Sequence, residues 1–114
     1  MLIQKNVLSN KKKLINDISI LDTQQNDALD TIKLSIDSKR SRIVIDVTSR
    51  VNNNIIVTMK NADDKIVNMY SWYIMSGRNM SSIKNYHNCG PGLYKIEIGS
   101  IHEELLWRGT LIIR

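Results

Sequence analysis

The chain has 114 residues, 42% of them hydrophobic, with no Phe, one Cys and a net charge of +5. That length suits one domain with its own core, built from Ile, Leu, Val and Met with Tyr and Trp as the only large rings. Lone Cys89 excludes an internal disulfide, and no apolar run approaches the roughly 20 residues that span a bilayer as a helix.

Charge is unevenly distributed. Residues 1–30 carry four Lys and four Asp, whereas residues 31–114 carry twelve basic and seven acidic groups. A basic excess favours nucleic acid or acidic surfaces. No aromatic-rich basic cluster accompanies it, so nucleic acid is not expected as a partner and the charge reads as a solubility device. Met1 to Lys13 lacks the leader pattern of an apolar core followed by small residues. Two expectations stay open: a cytoplasmic protein, or an extracytoplasmic one (periplasmic or secreted) whose leader has been removed.

Residues 1–29 read as an N-terminal arm or short helix. Leu14, Ile15, Ile18 and Leu21 fall at helical spacing with Asn10 as a cap, and Thr23 to Asp27 reads as a linker. An extended arm fits the polar composition equally well. Lys11-Lys12-Lys13 is too short for a nucleic-acid arm and suits a solvated helix face.

Residues 30–114 read as a β-sandwich domain. Ile32, Leu34 and Ile36 alternate with Lys33 and Ser35. Ile43, Ile45 and Val47 alternate with Val44, Asp46 and Thr48. Asn52-Asn53-Asn54 turns the chain, and Ile55, Val57 and Met59 form the apolar face of a third strand. Asp63 and Asp64 are expected to bond nearby amides and close the next hairpin. Ile66 to Met75 places Ile66, Tyr70, Trp72 and Ile74 on one side and Val67, Met69, Tyr73 and Met75 on the other. Met80 to Tyr86 is polar and suits an edge strand. Pro91, flanked by Gly90 and Gly92, stiffens the following loop. Tyr94, Ile96 and Ile98 then give the cleanest half-buried strand. Leu105 to Ile113 closes the chain, with Gly109 marking a bulge or a close backbone approach.

About seven strands, with turn signals every 8–12 residues, predict an all-β fold, an immunoglobulin-like antiparallel β-sandwich. A closed OB-like barrel binding nucleic acid through its basic surface is the alternative. Tyr94 sits where a tyrosine corner would lie, its ring inward and its hydroxyl on nearby backbone, which makes Tyr94, Gly92 and Pro91 structural.

Chemistry-bearing residues are scattered. His87 and Cys89 share a loop, and only His102, Glu103 and Glu104 could complete a metal site, if two loops met. A Cys–His nucleophile pair needs the same coincidence and an orienting group. Glu103 and Glu104 are adjacent and so point apart, which suits no paired-carboxylate mechanism. Asp63 and Asp64 lack the spacing of a calcium loop. No enzyme activity, cofactor or metal is expected. Tyr70, Trp72 and Tyr73 are the candidate recognition surface, because Tyr and Trp concentrate at binding hot spots. Trp72 and Tyr73 face opposite sides of a strand, and Trp72 is also a candidate core residue.

Three segments carry a family resemblance: Asn54 to Val67, with its strand–turn–strand pattern; Gly92-Leu93-Tyr94-Lys95-Ile96-Glu97-Ile98; and Trp107 to Ile113 with its Gly-x-apolar close. From Asp30 onward the chain resembles small secreted immunoglobulin-like domains of unknown function from Bacteroidetes, and less closely the C-terminal sorting domain of the type IX secretion system. That resemblance implies a non-enzymatic binding or structural module at or outside the cell envelope, with an unknown protein or glycan partner. The last strand and the arm also suggest an oligomer made by strand exchange.

Overall fold

Alternating Ile and Val side chains can be buried on one face of a strand only if a second sheet covers that face. In the computed structural model, which describes residues 18–25 and 31–114, this is the outcome. Eight strands form: β1 (Ile18–Gln25), β2 (Thr31–Asp37), β3 (Arg42–Ser49), β4 (Asn53–Lys60), β5 (Ile66–Ile74), β6 (Gly77–Lys84), β7 (Gly92–Ser100) and β8 (Leu105–Ile113). All pairings are antiparallel. One sheet has the order β1-β8-β7-β4-β5 and the other β2-β3-β6. Among the described residues the two separate sheets leave four edge strands, so the closed-barrel alternative does not hold.

The core lies between the sheets. Ile43, Ile45 and Val47 come from β3, and Ile55, Ile96 and Leu111 from β4, β7 and β8; all six are completely buried. Their neighbours Val44, Asp46, Thr58 and Glu97 stay partly exposed on the outer faces, as a period of two requires. The turns are closed by side chains. Asn61 Oδ1 accepts from the amides of Asp63 (2.9 Å) and Lys65 (3.0 Å). Asn61, not the Asp63-Asp64 pair, therefore closes the β4–β5 hairpin, while Asp64 reaches Lys95 at 2.9 Å. Asn79 clamps the β5–β6 crossover, accepting from the Met75 amide at 2.9 Å and donating to the Met75 carbonyl at 2.8 Å.

The arm differs most from its sequence reading. Residues 18–25 are a strand, which departs from the helix and linker readings and agrees with the extended alternative; the sheet begins before Asp30, and the described residues form eight strands. Ile18 is buried opposite Ile113, whereas Leu21 stands 53% exposed at a register shift between Ile20 and Asp22. The physical reason is that β8 would otherwise present a bare hydrogen-bonding edge, and covering it outweighs a weak helical spacing. Asn10, Lys11 to Lys13, Leu14, Ile15, Asn26 and Asp27 lie outside the described residues.

Two further corrections concern β5 and the tryptophans. A register shift on β4 between Met59 and Lys60 leaves Val67 unpaired, so Ile66 turns out to solvent instead of joining Tyr70 and Trp72. The fully buried tryptophan is Trp107; Trp72 packs only partly against the core. A Cβ on Gly109 would stand 2.4 Å from the Trp107 ring, so the missing side chain is what admits the indole. Among the described residues no helix is long and apolar enough to cross a membrane.

Candidate functional site

β5 is the segment that carries the candidate recognition residues Tyr70, Trp72 and Tyr73. Its nine residues, Ile-Val-Asn-Met-Tyr-Ser-Trp-Tyr-Ile, contain no charge and no Pro. Among the described residues it pairs with β4 on one side, and its other side is the rim of the five-stranded sheet. β6 rims the second sheet on the same flank, and the Tyr70 hydroxyl meets Ser81 Oγ of β6 at 3.0 Å. Burial pushes the Tyr70 hydroxyl above the ordinary tyrosine range, with the Ser81 contact opposing. Tyr70 is therefore a neutral strut between the sheets.

Tyr70 and Trp72 both lean on the core from the inner face, each half-buried. Tyr73 points the opposite way and is 55% exposed; Met69, on the same outer face four residues earlier, is 58% exposed. The three aromatics thus do not form one platform. They wrap a strand edge, two beneath and one above. A rim of this composition can add a strand from another chain, because backbone groups of an edge strand lack partners on that side.

The other singled-out residues lie elsewhere. Tyr94 is buried, and its hydroxyl proton is shared between the Cys89 carbonyl and the Gly90 carbonyl, the latter at 2.8 Å. This tyrosine corner ties β7 to the Pro91 loop. Gly92 enters β7 at φ +146, a conformation side-chain-bearing residues seldom adopt. Cys89 is partly buried, which pushes its thiol up, opposite to the shift of an activated nucleophile. Among the described residues no group of three or more His, Cys, Asp or Glu side chains gathers as a metal site would require, so His87 and Cys89 are not joined by His102, Glu103 and Glu104. Glu103 adopts φ +67 in the β7–β8 turn, where Ser100 Oγ accepts from the His102 and Glu104 amides.

Sequence reasoning missed two groupings. His87 Nδ1 lies 2.6 Å from Ser41 Oγ, which joins the turn before β3 to the turn after β6; residues 46 apart gave no local signal. On the outer face of the larger sheet, Glu97 lies between Lys60 (2.8 Å) and Arg108 (2.9 Å). Lys60 foremost, then Arg108, hold its carboxyl below the usual glutamate range. This group floors an open depression of about 380 Å³, also bordered by Gly99, Glu104 and Leu105. Its charges are mutually paired, so it reads as sheet reinforcement.

The fold defines the class: an antiparallel β-sandwich of immunoglobulin-like type. No family model matches the sequence, and no curated protein does. Among solved structures, the chain is similar to a DUF3244 family protein with an immunoglobulin-like β-sandwich fold from Bacteroides vulgatus. The TM-score is 0.60 at 15% identity, over 85% of this chain and 99% of that one. At that identity the likeness concerns the fold.

Proposed function

We propose that this protein is a non-enzymatic binding or structural module acting through its surface, at or outside the cell envelope, with β5 as the contact edge. The observation that supports this reading is the rim itself. β5 is uncharged, exposes Met69 and Tyr73, and holds Tyr70 and Trp72 half-buried. Large apolar side chains kept at an unpaired strand edge are an aggregation hazard unless something covers them. The envelope assignment follows from the sequence resemblance of Asn54 to Val67, Gly92 to Ile98 and Trp107 to Ile113 to secreted immunoglobulin-like domains; the likeness to the Bacteroides vulgatus protein supports the sandwich fold alone.

A photo-reactive residue in place of Tyr73, compared with one at exposed Ser35 on β2, tests the contact edge in intact cells. Fractionation of the same cells tests the compartment. Adducts at position 73 well above those at 35, in the envelope or exterior fraction, support the module. Equal labelling at the two positions, or a purely cytoplasmic protein, contradicts it.

A further inference from the structure

The composition of β5 names its occupant. We propose that two copies of this chain pair through β5, antiparallel about a two-fold axis at Ser71, joining their five-stranded sheets into one continuous sheet. The proposal rests on the reading of β5 as the contact edge and adds the partner.

The bulge at Val67 leaves Asn68 to Ile74 as the regular part of the strand. About Ser71 this segment complements itself. Asn68 meets Ile74, Met69 meets Tyr73, Tyr70 meets Trp72, and Ser71 meets its own mate. The outer face would gain two methionine–tyrosine contacts, each favourable between sulfur and ring. The inner face would gain two tyrosine–tryptophan cross-strand pairs, among the better pairings in sheets. Side chains half-covered in one copy would be covered by the second. A centre one residue earlier, at Tyr70, would set Met69 against Ser71 and draw the bulged Val67 into the ladder. The Ser71 register pairs all seven residues of the regular segment.

Charge selects the same edge. Copies of a chain with net charge +5 repel, so contact is best made where no charge lies. β1 carries Asp22, β2 carries Lys33 and Asp37, and β6 carries Arg78 and Lys84. Two β2 strands could set Lys33 against Asp37, but Asp37 already accepts from the Arg40 amide and guanidinium, and β2 exposes no large apolar side chain. On the flank shared with β5, Arg78 of β6 is engaged by Asp46 at 2.7 Å. A single strand-to-strand contact is small by the standard of stable interfaces, which bury about 1,200 Å² or more. The pairing is therefore expected to be reversible and concentration-dependent.

Sedimentation equilibrium on the full chain, from about 10 μM to about 1 mM, is expected to show a monomer–dimer equilibrium. Ser71→Lys places like charges opposite each other and is expected to weaken it about tenfold or more. In case that variant fails to fold, Ser71→Cys in a Cys89→Ser background gives a second reading. Directly opposed Cα atoms in an antiparallel pair lie about 4.5–5.5 Å apart, within disulfide reach. Mild oxidation should cross-link it at least about tenfold faster than Lys33→Cys in the same background, with Lys33 on the opposite flank. A wild-type protein monomeric throughout, or equal cross-linking at 71 and 33, overturns the proposal. If a purified monomer gains protection at β5 only when a different chain is added, self-pairing falls while the contact-edge reading stands.

Discussion

Gly109 and Trp107 stand on the same face of β8, and the indole occupies the space a side chain at 109 would fill. Gly109→Ala must displace a buried ring and is expected to cost about 1–3 kcal/mol, read as a fall in the denaturant midpoint at unchanged slope. Tyr94→Phe strands the carbonyls of Cys89 and Gly90 and is expected to cost about 1–2 kcal/mol by the same measurement. Glu97 makes stability depend on pH. Its folded pKa is depressed by Lys60 and Arg108, so its contribution is present above the unfolded glutamate value of about 4.3 and is lost as pH falls through the lower folded value. Wild type should therefore exceed Glu97→Gln in stability at pH 7, with the gap closing as pH is lowered below about 4. A gap that widened on acidification would contradict the ion-pair assignment. Of these residues, Tyr94 was legible from its place before the alternating Ile96 and Ile98. Glu97 was not, because its partners come from β4 and β8 and only strand order brings them together.

At the scale of elements, β2, β3, β4, β7 and β8 could be read from alternation because each has one face dominated by apolar residues. β1 could not. Ile18 and Leu21 are three residues apart, a separation that fits a helix turn as well as a bulged strand, and only pairing with β8 decides between them. The two readings predict different mutational patterns. As a bulged strand, Ile18→Ala should cost about 2–4 kcal/mol, whereas Leu21→Ala should stay within about 0.5 kcal/mol. An amphipathic helix would lose comparable stability at both, and equal losses in thermal or denaturant melts would contradict the strand. The tryptophans posed a similar ambiguity, since both lie in alternating runs. The small residue two positions after Trp107 was the available clue to which ring is buried, and Trp72 has no such host.

For the whole molecule, the unequal sheets matter most. Five strands face three, so large side chains of the wider sheet reach a rim where only part of their surface is covered. Tyr70, Trp72 and Tyr73 could be singled out by residue type. That their strand is an edge followed from long-range topology, and the sequence carried no local sign of it. Among the described residues Arg40, Lys60, Arg78, Lys95 and Arg108 each meet a carboxylate, with Glu97 serving both Lys60 and Arg108. The rim is the feature on which the proposed contact-making role rests. Hydrogen exchange measured at rising protein concentration tests it most directly. Peptides spanning residues 66–75 should gain protection while those from β1, β2 and β6 remain unchanged; unaltered exchange in 66–75, or protection rising equally at every edge, would contradict the account.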